Sequence, residues 1–277
     1  MALEKLKWED RMDKRWILPV SEYYARLNAY ILEIGLPYSI EDCQGWQEEA
    51  ALLRPVIGEG QGQAVLDCSC GWGKQAVALA KLGWQVSACD VSETSLEFAR
   101  QLARREDVPV DFRFCDMRDL VNEYHQQFDW VVSCYALYEI PTRAEIRRAV
   151  QGMFHALKPG GKCYLRFRDM DFLMEEQPRH EYRGEKRVPN GRIICLEDWD
   201  FESETSVVAL NVFMREDERK DSSDHFRWVT ETIGCRKNVM RKAELRDLFL
   251  GEGFDPFVIL PQSAPWFPVQ VVATRPV

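Results

Sequence analysis

Three aspartates, Asp67, Asp90 and Asp116, each stand at the end of a short segment rich in apolar residues. Such segments, bounded by turn residues, are typical of strands in a parallel sheet, whose carboxyl ends meet at one ligand-binding edge. Carboxylates at that edge can neutralise a cation or accept hydrogen bonds from hydroxyl and amino groups. The pattern therefore predicts a nucleotide-like ligand held by acids.

Asp67 is followed by a turn that contains Gly71 and Gly73 and then by an amphipathic helical stretch. Glycines let the backbone approach a ligand closely at the mouth of a helix, which suits a dinucleotide or S-adenosylmethionine. A dinucleotide site expects a third glycine where Ala76 stands, although some sites accept alanine. A pyrophosphate beside Asp67 would also be repelled, whereas S-adenosylmethionine has an ammonium, a sulfonium and no phosphate. This favours S-adenosylmethionine over a nicotinamide cofactor of an oxidoreductase.

The other two acids fit the nucleoside part of such a cofactor. Asp90 can accept hydrogen bonds from both ribose hydroxyls, as in any ribose-binding βαβ unit, and does not by itself distinguish the cofactors. Asp116 can accept from an adenine amino group while Met117 packs on the ring. These positions predict an adenosine site along the same edge.

With these motifs the sequence resembles the class I S-adenosylmethionine-dependent methyltransferases. The resemblance rests on residues 67–73, on Asp90, on the pair Asp116-Met117 and on the turn at residues 157–162. It implies that S-adenosylmethionine is the cofactor, that S-adenosylhomocysteine is the product and that no metal takes part. The cofactor-binding residues that it implies are Asp67, Ser69, Gly71, Gly73, Asp90, Val91, Asp116, Met117 and Ser133.

Within that class the sequence is most similar to the glycine and sarcosine N-methyltransferase group. Residues 67–71, residues 168–173 and the stretch around residues 198–200 carry this similarity. It implies a small-molecule acceptor, with an amine of an amino acid as the first hypothesis. Oxygen, sulfur and carbon acceptors stay open, because the cofactor half of the fold is common to all of them. A non-catalytic S-adenosylmethionine-binding protein is the alternative of another class.

Three residues are candidates for the catalytic role. The resemblance implies that the N-terminal segment supplies a tyrosine or arginine to the cleft; Tyr24 or its neighbour Tyr23 could play that part, although an ordinary packing role is also open. Glu139 follows a central strand, and with nearby aromatic residues it suits a cationic substrate; it could equally be a helix cap or a surface acid. Arg168 would clamp a substrate carboxylate, unless it only forms an ion pair with Asp169 or Asp171.

The alternation of segments predicts an α/β fold. We expect a Rossmann-like, doubly wound and mostly parallel sheet with helices on both faces. The nearly unbroken apolar run at residues 128–134 is typical of a central strand of such a sheet, which is buried on both faces. Residues 1–45 form an N-terminal helical segment or lid, with helices over 1–20 and 21–34. Residues 46–174 and 236–277 form the cofactor-binding core. Residues 175–235 form an antiparallel β insertion that shapes the acceptor pocket, and the resemblance implies that it can mediate contacts in a homo-oligomer.

Composition limits the partners. The 277 residues carry a formal net charge of −9, which repels nucleic acid, and we expect basic pairs such as Arg236-Lys237 to be solvated ends of elements. No apolar run approaches the roughly 18 residues of a membrane-spanning helix, and the N-terminus is charged rather than signal-like. The sequence therefore predicts a cytoplasmic protein without a membrane partner.

The cysteines favour neither disulfides nor a metal site. There are nine, an odd number without a paired framework, which is typical of free thiols in a reducing compartment. Cys68 and Cys70 are spaced as C-x-C rather than as the C-x-x-C of a zinc site, and the four histidines are distant in sequence. We expect these thiols to be small apolar fillers beside the turn.

Overall fold

The computed structural model describes residues 17–34, 45–178, 180–188, 191–217, 227–264 and 267–277. The predicted helix over residues 1–20 lies mostly outside these ranges. Its last part is wrong, because Ile17–Leu18 form a short strand that pairs in parallel with residues 234 and 235. The sequence also predicts a break at residues 35–37 and an exposed, charged hairpin tip at residues 215–224, and residues 35–37 and 218–224 lie outside the described ranges.

The described residues form strands and helices in alternation along the first half of the chain. The helices are α1 (Val20–Ile34), α2 (Trp46–Ile57), α3 (Lys74–Lys81), α4 (Glu93–Arg105), α5 (Leu120–Glu123), α6 (Arg143–Ala156), α7 (Met170–Glu176) and α8 (Lys242–Gly251). The strands are β1 (Ile17–Leu18), β2 (Ala64–Asp67), β3 (Gln85–Asp90), β4 (Val110–Phe114), β5 (Phe128–Cys134), β6 (Leu157–Phe167), β7 (His180–Val188), β8 (Gly191–Ser203), β9 (Ser206–Asp217), β10 (Arg227–Asn238), β11 (Phe257–Ile259) and β12 (Val269–Thr274).

The main sheet has the strand order β11-β12-β6-β5-β2-β3-β4. Strands β2 to β6 run parallel, and β11 and β12 are antiparallel additions at one edge. Central strand β5 is buried along almost its whole length, since helices cover both faces of the sheet. The predicted Rossmann-like, mostly parallel fold is confirmed. Because parallel strands end at one edge, the sheet brings Asp67, Asp90 and Asp116 to the same side.

A second sheet covers that edge. It has the order β1-β10-β9-β8-β7, and its four long strands are antiparallel to one another. The sequence predicted this antiparallel sheet from three apolar runs but missed β7, whose alternating charged side chains have no apolar signal. Helix α1 packs on the sheet through Tyr23 and Leu27, which lie against Phe213 and Ile233. The division of the chain at residues 45, 174 and 235 stays a prediction.

The turn between β2 and α3 depends on its glycines. Gly73 is the N-terminal cap of α3 with a φ of 81°, a left-handed conformation that favours glycine. A Cβ at Gly73 would also lie 2.7 Å from the Cβ of Ala99 in α4. Gly73 therefore sets both the turn and the close packing of the two helices.

We expect Gly73→Ala to lower the free energy of unfolding by about 1–3 kcal/mol, because it combines a strained φ with overpacking against Ala99. Urea unfolding followed by circular dichroism measures the loss. Gly251→Ala is the matched control, since Gly251 ends α8 with an ordinary φ and an open space around its Cα. Equal stabilities of the two variants would contradict the role of Gly73.

Candidate active site

A cavity of about 710 Å³ lies between the carboxyl edge of the main sheet and the second sheet, with α1 along one side. Its lining contains nine of the twelve site residues that the sequence predicted. They are Tyr24, Ser69, Gly71, Asp90, Val91, Asp116, Met117, Glu139 and Arg168. The other three predicted residues, Asp67, Gly73 and Ser133, do not line it. The structure thus brings the candidate cofactor and acceptor residues into one enclosed space.

Asp90 holds the turn that contains Gly71. One carboxylate oxygen of Asp90 accepts from the Gly71 amide at 2.8 Å, and the other accepts from the Ser92 amide at 2.9 Å. Burial raises the pKa of Asp90 above its ordinary value. Gly71 itself has a φ of 48°, and a Cβ there would meet no protein atom within 4 Å. The turn therefore presents bare backbone and a half-buried acid to the cavity.

Asp67 lies behind this turn rather than in the cavity lining. Its side chain is 1% exposed, and its Oδ1 accepts only a long hydrogen bond, at 3.4 Å, from the Ser69 amide. Among the described residues, its Oδ2 has no hydrogen-bond partner. Burial raises the pKa of Asp67 from 3.8 to about 7. In front of it the hydroxyls of Ser69 and Ser133 lie 3.1 Å apart. Asp67 is thus a poorly solvated acid to which a nearby cation would be favourable.

Asp116 already accepts several hydrogen bonds within the protein, which the sequence did not predict. Its two carboxylate oxygens accept hydrogen bonds of 2.6–3.0 Å from the Arg118 guanidinium, and Oδ1 also accepts from the Arg118 amide. Partial burial opposes ionisation of Asp116, but the Arg118 hydrogen bonds outweigh it and hold its pKa below the usual range. An adenine amino group would therefore have to share this acceptor. Met117 is buried beside it in the cavity lining.

Tyr24 and Glu139 meet in the cavity. The Tyr24 hydroxyl donates to Oε2 of Glu139 at 2.6 Å, and Oε1 of Glu139 accepts from Nζ of Lys237 at 2.6 Å. The Lys237 ammonium also lies 5.2 Å from the centre of the Tyr138 ring. Glu139 is therefore neither a helix cap nor a surface acid.

The prediction that Lys237 is a solvated end of an element is wrong. Its side chain is 7% exposed and forms a buried ion pair, whereas neighbouring Arg236 is 54% exposed and bonds Glu202. The physical reason is the alternation of a strand, since Lys237 shares the inward face of β10 with Ile233 and Cys235. That periodicity was the signal in the sequence that could have found Lys237.

Arg168 is ion-paired, but not to the acids that the sequence offered. Its guanidinium donates to Glu197 at 2.8 Å and to Glu181 at 3.5 Å, and it lies 5.0 Å from the centre of the Trp199 ring. Arg183 of β7 shares both glutamates. Asp169 instead accepts from Nζ of Lys242 at 2.7 Å. Two guanidinium nitrogens of Arg168 thus already donate to protein carboxylates, which weakens the case for Arg168 as a clamp for a substrate carboxylate.

Two further features of the site, the backbone conformation of Tyr135 and the carboxylate of Glu49, were not predicted from the sequence. Tyr135, directly after β5, has a φ of 61°, a conformation that non-glycine residues rarely adopt and that is common near functional sites. Glu49 of α2 lines the cavity and is bonded by Arg166 of β6. No local motif marks either of them.

Comparison with known proteins agrees with this geometry. Residues 65–161 match a family model described as a methyltransferase domain. The fold is similar to that of the CcbJ methyltransferase from Streptomyces caelestis, with a TM-score of 0.65 over 92% of this chain and 98% of that one at 16% identity. Residues 65–161 thus form a methyltransferase domain, and the chain has the fold of that methyltransferase. The broader resemblance is thereby confirmed, while the narrower one to the glycine and sarcosine group finds no support.

Two further proteins are similar to this chain, one in sequence and one in fold. The ubiquinone biosynthesis O-methyltransferase of Xanthomonas euvesicatoria is 36% identical over 131 residues, which are 45% of this chain and 54% of that enzyme. The chain thus spans about half the length of the named relative. SAM-bound CalS10, an amino pentose methyltransferase from Micromonospora echinaspora, is 20% identical with a TM-score of 0.63 over 84% of this chain and 92% of that one.

S-adenosylmethionine is the cofactor of such domains, and the residues present fit it. The orphaned Oδ2 of Asp67, the open space at Gly71 and the acid at Asp90 together provide a concave cradle with two carboxyl groups, which suits a ligand that carries positive charge. Within the described ranges no group of three or more His, Cys, Asp or Glu side chains is placed to hold a metal ion. The described cysteines are all free thiols.

A search for membrane-spanning helices among the described residues finds none that is long and apolar enough.

The raised pKa of Asp67 predicts a pH effect on the ligand-free protein. Between about pH 4 and 7 the folded chain keeps a proton on Asp67 that the unfolded chain has lost, so folding loses stability as pH rises. Asparagine does not titrate, so the free energy of unfolding of Asp67→Asn should rise relative to that of the wild type as pH increases. We expect this difference to grow by up to about 1.4 kcal/mol per pH unit between about pH 4 and 7 and to stay constant above about pH 7.

Urea unfolding of both proteins from pH 4 to 8.5 measures this difference. Asp247→Asn, an exposed change on α8, is the control and should show no such slope. A constant difference between Asp67→Asn and the wild type at all pH values would contradict the shifted pKa.

Proposed function

We propose that this protein is an S-adenosylmethionine-dependent methyltransferase that acts on a hydroxyl group of a small molecule. The observation that carries the proposal is the Glu139 carboxylate, held by Tyr24 and Lys237 in the lining of the same cavity as the Asp90 and Gly71 turn. A fixed carboxylate beside the cofactor site is what a proton-bearing acceptor requires.

The dimensions of the cavity favour a small acceptor. Ligand sites of this kind measure about 300–1,000 Å³, and the cofactor must share the 710 Å³ with its acceptor. The second sheet and α1 close the space over the sheet edge, which limits access for a polymer. Apolar residues on the acceptor side, such as Phe172 and Leu173, would contact the body of the acceptor.

The residues of the chain then have separable tasks. S-adenosylmethionine, when bound, supplies an electrophilic methyl group to be displaced in line. The cavity holds the acceptor oxygen in position, and such positioning can contribute about 7–11 kcal/mol to the barrier reduction. Glu139 accepts the proton that the hydroxyl gives up, and Lys237 stabilises the ionised carboxylate before the transfer. Tyr24 orients Glu139 through its hydrogen bond.

Oxygen is favoured over the amino group that the sequence suggested first. The amino-acid hypothesis depended on Arg168 as a carboxylate clamp, and Arg168 is engaged by Glu197 and Glu181. The named sequence relative is an O-methyltransferase, which supports oxygen, although the shared region covers only 45% of this chain. An amine is the second candidate, because Glu139 and the Tyr138 ring would also suit a cationic acceptor.

Titration calorimetry with S-adenosylmethionine, followed by a panel of phenols, alcohols, amines and thiols assayed for S-adenosylhomocysteine, tests the proposal. We expect binding and turnover on hydroxyl compounds. Turnover on amines alone would replace the oxygen assignment with the second candidate. Binding without turnover on any acceptor would indicate a non-catalytic cofactor-binding protein.

We expect Glu139→Gln to lower kcat by about 10²–10⁴-fold, the usual contribution of a general base, while the cofactor Kd stays within about twofold. Glu97→Gln, an exposed change on α4, is the control for charge alone. Because Glu139→Gln leaves Lys237 buried without its counter-ion, the double variant Glu139→Gln/Lys237→Met is needed as well. A double variant that is stable and still fully active would overturn the role of Glu139.

A further inference from the structure

A second carboxylate faces the cavity from outside all the predicted motifs. Glu49 of α2 lies in the lining with its side chain 15% exposed. Its two carboxylate oxygens accept from Nη2 of Arg166 at 2.8 and 2.7 Å. Both residues lie outside the segment 65–161 that matches the methyltransferase family model. They are therefore a feature of this chain that the family match does not explain.

Arg166 holds Glu49 firmly. Its side chain is 4% exposed, and its guanidinium carbon lies 5.2 Å from the centre of the Tyr135 ring. Within the described part of the chain, its Nε and Nη1 have no hydrogen-bond partner. Since a buried guanidinium is costly unless it is paired, Glu49 is its principal compensation. The pair fixes the carboxylate at one place in the lining.

The strand order locates this place along the cofactor site. Along the edge from β4 through β3, β2 and β5 to β6, the structure places Asp116, Asp90, the Gly71 turn and then the Arg166-bound Glu49. Asp116 and Asp90 are expected at the adenine and the ribose. The opposite end of the cofactor, its amino-acid part, then lies toward β5 and β6, beside Glu49.

The chemistry of that end matches Glu49. The amino-acid part carries an ammonium, which donates three hydrogen bonds, whereas the sulfonium donates none. Each Glu49 oxygen has one hydrogen bond from Arg166 and keeps acceptor capacity on the side of the cavity. The buried acid Asp67 lies close enough to Glu49 for the two charges to interact, which adds negative potential to this end.

We propose that Glu49, positioned by Arg166, binds the α-ammonium group of S-adenosylmethionine and of its product. This inference rests on the proposed function and names a cofactor contact that the motifs do not include. Arg166 acts through Glu49 and is a positioning residue. Helix α2 is thereby part of the cofactor site.

Calorimetric titration of the full chain with three ligands tests the contact. S-adenosylmethionine and S-adenosylhomocysteine carry the ammonium, whereas 5′-methylthioadenosine has the same nucleoside without it. We expect Glu49→Gln to weaken the first two by about 10- to 100-fold and the third by less than about twofold. Glu48→Gln is the matched control, because Glu48 is the exposed neighbour on the same helix and should change none of the three.

Arg166→Met tests the positioning role. We expect it to weaken S-adenosylmethionine binding in the wild type but to add little in the Glu49→Gln background, which is a coupling that a double-mutant cycle measures. Circular dichroism and urea midpoints identify a variant that has lost its fold. Glu49→Gln/Arg166→Met removes both charges and keeps the test valid if Arg166→Met alone is unstable.

Three results would overturn the ammonium contact, and a fourth would overturn the proposed function itself. Equal weakening of all three ligands by Glu49→Gln would show a general effect on the site rather than an ammonium contact. Unchanged cofactor affinity with a raised acceptor KM would assign Glu49 to the acceptor. If the wild type binds none of the three ligands, the proposed function itself fails. Binding of 5′-methylthioadenosine alone would leave the nucleoside site intact and reject only the ammonium contact.

Discussion

The buried ion pair between Glu139 and Lys237 is the constraint on which the site depends. It joins the turn after β5 to the last strand of the second sheet, and the Tyr24 hydroxyl adds α1 to the same carboxylate. Removing one partner of such a pair leaves an uncompensated buried charge, a loss of about 3–5 kcal/mol. The pair therefore ties the second sheet to the turn that lines the cavity and holds the Glu139 carboxylate in one place.

Charge is distributed unevenly along the cavity. At the cofactor end, Asp67 is buried and Asp90 is half-buried, and burial raises the pKa of both carboxyl groups. Oδ2 of Asp67 has no hydrogen-bond partner among the described residues. At the other end, Arg168 and Arg183 are matched by Glu181 and Glu197. A cationic ligand beside Asp67 and Asp90 would thus relieve the cost of burying these acids.

Local patterns predicted the fold well. Strand β5 begins and ends where the sequence placed it, at residues 128 and 134, because an apolar run depends only on neighbouring residues. The sequence also predicted the glycine turn and the position of Asp90 at the end of a strand. Strand β7 and the buried Lys237 were missed, because their side chains are polar and only contacts distant in sequence stabilise them.

The cofactor side of the cavity depends on contacts that are close in sequence, whereas the acceptor side depends on contacts that are distant in sequence. The ion pair that holds Glu139 joins residues 98 positions apart and its Tyr24 hydrogen bond joins residues 115 apart, whereas Asp90 and the Gly71 amide are 19 positions apart. The segment that matches the methyltransferase family model, residues 65–161, includes the glycine turn and Asp90 but neither Tyr24 nor Lys237. Under the proposed function, the acceptor is therefore served by contacts that link the second sheet and α1 to the core. Since either member of a pair is costly without the other, a change of acceptor requires both sides of the cavity to change together.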